Sequence, residues 1–178
     1  TREDQDRNFL TMLESFGKKD IVVQKSRDMG ASWMVLYMLD HAWRFREHFH
    51  IGLVSKDEDA VDRPGSTTSL MYKLDYIEDH LPIFMRPGYG DPEMRTRNQT
   101  DHIITNEMTK STIEGYAAGP DVDRGGRKIV FMFDEVHSWK GDKDQYVNDS
   151  LQHNCPCRIF ISTPSRQRGQ GGLFYNLC

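Results

Sequence analysis

The chain has 178 residues, 37% of them hydrophobic and 28% charged, with a net charge of -4 at pH 7. That length carries one domain with a buried core, and no apolar run approaches the roughly 20 residues that a membrane helix requires. The negative balance argues against a surface coated with basic side chains for nucleic acid, while leaving room for local basic patches.

Thr1 opens the chain with neither methionine nor a leader pattern, so the chain is expected to be an excised piece. Phe9, Leu10, Met12, Leu13 and Phe16 stand among charges and predict an amphipathic helix over 2–16, stopped by Gly17. Ile21, Val22 and Val23 predict a short buried strand, residues 24–30 a loop, and 31–45 a helix. A second strand is predicted over 49–54. A helix starts at Lys56, is interrupted by Arg63, Pro64 and Gly65, resumes over 69–81 and stops at Pro82. Residues 86–100, rich in proline, glycine and charge, read as an exposed loop. Two short strands over 102–105 and 111–113 follow, joined by a turn. Four glycines and one proline make 115–126 a mobile or tightly turned loop. Then come a strand over 129–133, a polar segment, a short helix near 145–152, a strand over 158–161 and a flexible tail over 166–172. Strands alternating with helices, without repeats, predict an α/β fold with a largely parallel central sheet.

Cys155, Cys157 and Cys178 are odd in number, and a single proline separates the first two. This is no disulfide framework, and reduced thiols in an intracellular setting are expected. A zinc site from His153, Cys155 and Cys157 would lack a second ligand pair and is not expected. His41, His48 and His50 read as surface and helix-end residues rather than a metal site.

The strand over 21–23, the loop and the helix from 31 form the strand–loop–helix of a phosphate-binding loop. Against the pattern GxxxxGK[ST], the aligned residues are Lys25, Ser26, Arg27, Asp28, Met29, Gly30, Ala31 and Ser32. Gly30 and Ser32 match; Lys25 replaces the first glycine, and Ala31 the lysine. Such a loop wraps the terminal phosphates, so both of its ends lie near the same oxygens. Amides of residues 28–32 and the positive end of the following helix would face the phosphates. Ser32 can offer its hydroxyl to Mg²⁺, Lys25 the missing ammonium, and Arg27 a planar fork. The plain alternative is a helix cap with Lys25 and Arg27 turned to solvent.

Ile129 to Phe133 deliver Asp134 and Glu135 to a strand's carboxyl end, where open α/β sheets bind ligands. Asp134 is the candidate for the Mg²⁺ shell and Glu135 for the general base of an in-line attack by water on a terminal phosphate. The alternative is a strand ending in solvent. Ile159, Phe160 and Ile161 deliver Ser162, Thr163 and Pro164, whose hydroxyls can sense a terminal phosphate if that strand lies between the two motif-bearing strands. An isolated Ser-Thr-Pro would be a turn. Arg124 and Arg127 flank Gly125 and Gly126, and an arginine there can swing toward a phosphate of its own or a neighbouring subunit. Otherwise they are exposed charges. Trp33 and Trp43 read as packing residues, and His137 and Trp139 as residues near the site without assigned chemistry.

With these pieces in order, the chain resembles the ATPase domain of a large terminase subunit, the genome-packaging motor of tailed bacteriophages and related viruses. Residues Lys25 to Trp33 resemble that family's deviant Walker A, in which the lysine can open the loop. Ile129 to Glu135 resemble its Walker B with catalytic glutamate; Ser162, Thr163 and Pro164, followed by Phe174 and Tyr175, resemble its coupling motif. The stretch from Gly115 to Arg127 resembles the segment that precedes Walker B, and the likeness runs from about Gln5 to Tyr175.

The resemblance implies a P-loop NTPase of the ASCE type, with ATP and Mg²⁺ as cofactors and residues 1–178 as one ATPase domain. It implies translocation of double-stranded DNA into a capsid in the host cytoplasm, by a homo-oligomeric ring docked on the portal protein, with the small terminase subunit as partner. No membrane is implied. The family's carboxyl-terminal nuclease is not expected, because the chain stops at Cys178. The family's adenine-contacting glutamine implies a nucleotide-binding role for Gln5.

Two further functions compete. A non-hydrolysing P-loop module for binding or assembly is favoured by Ala31 and by Asp28, where many relatives carry glutamine; Glu135 opposes it. A helicase-like remodeller is suggested by the DExH pattern of Asp134 to His137, and is opposed by the lysine-first loop and the lack of a second helicase core.

Overall fold

The computed structural model describes residues 3–26, 29–120, 122, 126–141, 143–151, 155–163 and 173–177, without the side chains of 3–5, 150, 175 and 176. The strands are β1 (Ile21–Gln24), β2 (Ile51–Ser55), β3 (Arg95–Asn98), β4 (Ile103–Asn106), β5 (Ser111–Ala117), β6 (Val130–Asp134) and β7 (Arg158–Ser162). The helices are α1 (Glu3–Ser15), α2 (Ala31–Phe45), α3 (Glu58–Val61), α4 (Leu70–His80), α5 (Lys143–Leu151) and α6 (Leu173–Leu177). The strands make one sheet in the order β1-β7-β6-β2-β5-β4-β3. β1, β7, β6, β2 and β5 run parallel, and β4 and β3 continue the sheet antiparallel. The expected mostly parallel sheet flanked by helices is present, with β7 between β1 and β6.

Every residue of β2, β6 and β7 is buried, as strands covered on both faces require. The two-residue period divides their side chains between two cores. Met132, Ile159 and Ile161 join α1, α2 and α4 on one face. Phe131, Phe133 and Phe160 join α5 and α6 on the other. Phe133 stacks on Phe160 with ring centroids 4.8 Å apart.

Three sequence expectations change. The strand at 21–23 is half-buried rather than buried, because β1 is an edge strand paired only with β7. The loop expected over 86–100 contains β3, whose sequence Arg-Thr-Arg-Asn has no apolar alternation to announce it. Charge holds it instead: Arg97 Nη2 lies 2.8 Å from Asp62 Oδ1, and Arg95 Nη2 2.5 Å from Asp75 Oδ1 of α4. The loop expected from Gly115 begins later, since Gly115 lies inside β5. A Cβ there would meet Val61 Cγ1 of α3 at 2.3 Å, so close packing of a helix rather than a turn requires this glycine.

One buried polar cluster ties α2 to α4. Arg44 Nη2 reaches Asp40 Oδ2 at 2.8 Å, and Arg44 Nε lies 3.7 Å from Glu78 Oε1. Burial, and then the Asp40 carboxyl, push the Glu78 carboxyl up to about 7, while Arg95 and Arg44 oppose the rise. Burial raises Asp40 as well. The folded chain therefore binds protons that the unfolded chain releases above its ordinary glutamate value, and stability falls as pH rises from about 4.5 to 7. Thermal or urea unfolding across that window should show a loss of roughly 1–3 kcal/mol, and Glu78→Gln should flatten it. An equal slope in wild type and variant would assign the effect elsewhere.

Candidate functional site

The parallel strands end at a common edge, and a cavity of 770 Å³ opens there. That volume suits a small-molecule ligand with several polar groups. Side chains from separate elements converge on it: Lys25 after β1, Ser32 and Trp33 on α2, Lys73 on α4, and Asp134 and Glu135 at the end of β6. Lys56, Arg63 and residues Ser66 to Thr68, between β2 and α4, form another wall.

The turn into α2 is made by Gly30, whose backbone is left-handed (φ 70°, ψ 13°), a conformation that costs a glycine nothing. α2 begins at Ala31, so its unpaired amides and positive dipole end open on the loop. Ala31 is buried in the core cluster, while Ser32 directs its hydroxyl to Asp134 Oδ1 at 2.7 Å. Burial raises the proton affinity of the Asp134 carboxyl, and the Ser32 hydroxyl and the charges of Lys73 and Lys25 counter it. A hydroxyl and a carboxylate this close are hard oxygen donors. They fit Mg²⁺, which takes one or two carboxylates and completes its shell with water and substrate phosphate.

Lys25 Nζ stands 2.8 Å from Glu135 Oε1. The two candidates for phosphate grip and general base thus meet directly. Glu135 has a left-handed backbone (φ 52°, ψ 42°) at the entry to a 3₁₀ turn over Val136–Ser138. Its carbonyl accepts from the Ser138 amide at 2.8 Å and from the Ser138 hydroxyl at 2.7 Å. For a side chain with a Cβ that conformation costs about 1–2 kcal/mol, and such strain gathers at functional sites. It aims the carboxylate into the cleft instead of along the strand.

β7 joins the two motif-bearing strands physically. The Lys25 amide donates to the Ser162 carbonyl at 3.1 Å. The Ser162 hydroxyl accepts from the His137 amide at 3.0 Å and pairs with His137 Nδ1 at 2.8 Å. His137 Nδ1 lies 3.4 Å from Glu135 Oε2. The Thr163 hydroxyl is buried with no hydrogen-bond partner among the described residues.

The structure brings Lys25, Ser32, Trp33, Asp134 and Glu135 to one cleft, with Ser162 one contact behind it. Ser26 and Gly30 are exposed and Met29 is half-buried, on the loop itself. Arg127 is exposed at the amino end of β6, the edge opposite the cleft, and is not brought to it within this chain. Arg27, Asp28, Arg124 and Pro164 lie outside the described residues, as do His153, Cys178 and the 166–172 tail; Gln5 lies on α1, its side chain outside the description. Trp43 packs as expected, its indole nitrogen donating to the Ser111 carbonyl at 3.0 Å. Trp139 is not at the cleft: it is buried beneath, donating to the Asp134 carbonyl at 3.1 Å.

Sequence reading missed Lys73 and the Ser162–His137 contact. Lys73 looks like an ordinary polar helix residue. The available signal was its position three after Leu70 and four before Ile77, which places it against the buried stripe of α4.

No protein-family profile matches the chain, and no curated protein matches it in sequence. Solved structures do match in shape. The HK97 bacteriophage large terminase superposes with a TM-score of 0.65 at 12% identity, covering 91% of this chain and 33% of that one. A variant of the large terminase ATPase domain of Thermus phage P74-26 gives 0.62 at 13%, covering 94% and 67%. The large terminase of the thermophilic bacteriophage D6E, in complex with ADP, gives 0.60 at 11%, covering 92% and 39%. The chain therefore shares the fold of these large terminase ATPase domains, a mostly parallel sheet flanked by helices, and it spans about a third of the length of the HK97 protein.

The strain at Glu135 is testable apart from any activity. Glu135→Gly should leave unfolding free energy unchanged or raise it by up to about 1 kcal/mol, because the partly exposed pair with Lys25 contributes no more than the relieved backbone. A loss above about 1 kcal/mol in urea unfolding would mean the ion pair dominates.

Proposed function

We propose that this chain is the ATP-hydrolysing motor domain of a large terminase, the residues 1–178 forming one such domain. The observation that carries the reading is the 2.7 Å contact between the Ser32 hydroxyl and the buried Asp134 carboxylate, with Glu135 and Lys25 beside it. The shared fold of large terminases, one of them holding ADP, supports the nucleotide class. Family-level partners follow as part of the proposal: double-stranded DNA, a portal protein and a small terminase subunit, with the domain working in a homo-oligomeric ring in the host cytoplasm.

In this reading Ser32 and Asp134 hold Mg²⁺, which when bound neutralises phosphate charge. The triphosphate lies along the loop and the amino end of α2. Lys25 exchanges the Glu135 carboxylate for phosphate oxygens, which leaves that carboxylate free to accept hydrogen bonds from water. Water attacks the terminal phosphorus in line. One new P–O bond forms, the bond from that phosphorus to the bridging oxygen breaks, and its electron pair leaves with ADP. The water proton passes to Glu135. His137 and Ser162 fix where that base stands, and through Ser162 the change reaches β7. Arg124 or Arg127 could complete the charge only from the segment before β6, and Arg127 fits an approach to a neighbouring subunit's cleft better than to its own.

A second reading keeps the pocket without the reaction. The Lys25–Glu135 pair occupies the base, and the loop's usual lysine is Ala31, so a non-hydrolysing binding module is favoured by those two observations.

Glu135→Gln separates them. Under the motor reading the variant binds ATP within about threefold of wild type and loses roughly 100- to 10,000-fold in phosphate release, the range of a general base. Equal hydrolysis by both proteins removes Glu135 as base. Tight ATP binding with no wild-type hydrolysis, even with DNA present, selects the second reading. Ser32→Ala should in addition weaken Mg·ATP binding by about tenfold while sparing binding measured in excess chelator, since a charged-group hydrogen bond of this kind contributes about 1.5 kcal/mol.

A further inference from the structure

The loop of this chain holds one ammonium where the ordinary pattern would place another at Ala31, which is buried. A different element offers a candidate. Lys73 of α4 lines the same cleft as Lys25, Ser32, Asp134 and Glu135. Its amine lies 6.0 Å from the centre of the Trp33 ring. That ring in turn meets Tyr76 of α4 edge-on, with centroids 5.5 Å apart, so the lysine's base is fixed against α2.

Among the described residues the Lys73 ammonium donates no hydrogen bond and closes no ion pair at contact distance. Lys73 is half-buried, and that burial lowers its proton affinity; Asp134 and Glu135 oppose the change from a distance, and Lys25 adds to it. A half-buried ammonium facing a cleft gains most from an anion placed in that cleft. The free volume in front of it belongs to the cleft.

We infer that Lys73 is the second phosphate-contacting ammonium of this site, carried by α4 instead of by the loop, and that it holds the terminal phosphate of a nucleoside triphosphate. The inference rests on the nucleotide-hydrolysis reading above. The choice of the terminal phosphate follows from position. The base of an in-line attack stands beyond the terminal phosphorus, and Lys73 lines the same cleft as Asp134 and Glu135. Lys25 enters the cleft from β1 and Lys73 from α4, so the two cations can close on the same group from different elements. Lys73 thereby distinguishes triphosphate from diphosphate, and ties α4 to the presence of the terminal phosphate.

Titrations of wild type, Lys73→Met, Lys73→Arg and Lys25→Met with Mg·ADP and with a non-hydrolysable Mg·ATP analogue test this. Lys73→Met should weaken analogue binding about 10- to 100-fold and ADP binding less than about threefold, with partial recovery in Lys73→Arg. A companion measurement needs no variant. Acetylation of the wild-type chain, read by mass spectrometry, should show Lys73 protected by the analogue and not by ADP. Unchanged analogue affinity in Lys73→Met, an equal loss for both nucleotides, or equal acetylation with analogue and ADP would overturn the inference while leaving the nucleotide reading intact. A wild-type chain that binds neither nucleotide would overturn that reading, and this inference with it.

Discussion

A carboxylate taken out of water must be answered by hydrogen bonds or by charge, and Asp134 is nearly inaccessible at the end of a strand buried along its whole length. Its neighbours in the sheet, β7 and β2, are equally buried, so no solvent reaches it from the sides. The answer comes from outside the sheet: a hydroxyl from the first turn of α2 and the charges of lysines on the loop and on α4. This requirement explains why three elements distant in sequence converge on one point. It also explains why that point is suited to a divalent cation and an anionic ligand, since the same oxygens that satisfy the acid are ligands for a hard metal.

The second constraint is geometric. β7 sits between the strand that leads into the loop and the strand that carries the acids. Through Ser162 it binds the Lys25 amide on one side and His137 on the other. Ser162 thus links the loop to the acids through the backbone, beside the direct side-chain contacts Lys25–Glu135 and Ser32–Asp134. The left-handed backbone of Glu135 belongs to the same arrangement, since its carboxylate meets Lys25 from that turn. Solved large terminases keep this fold at 11–13% identity. In this chain the loop carries Lys25 where the ordinary pattern has its first glycine and Ala31 where it has its lysine, so the ammonium enters from the loop's front.

Much of this was legible in the residues. The helix over 31–45 is marked by its apolar spacing after Gly30, and Ser32 and Asp134 are each legible as oxygen donors for one cation; that they meet at 2.7 Å is a fact of the fold. The strand β3 was not legible, because its arginines are held by Asp62 and Asp75 across the fold and leave no periodic apolar trace. Gly115 misled for a related reason: a glycine needed for helix packing and one needed for a turn look the same in one dimension. Trp139 was drawn toward the cleft by its nearness to the acids, and the 3₁₀ turn carried it under the floor.

What the sequence determined by itself was the set of chemically capable groups and the elements that carry them: a lysine-first anion loop, an acid pair closing an apolar strand, and hydroxyls closing another. Local periodicity and turn chemistry suffice for that, since each acts within a few residues. What only the tertiary structure decided was which groups meet. The Lys25–Glu135 contact joins residues 110 apart, and Lys73 enters the cleft from a helix that no motif marks. Those meetings are set by strand order and by the burial of Asp134, which are properties of the packed sheet and have no local signature in the chain.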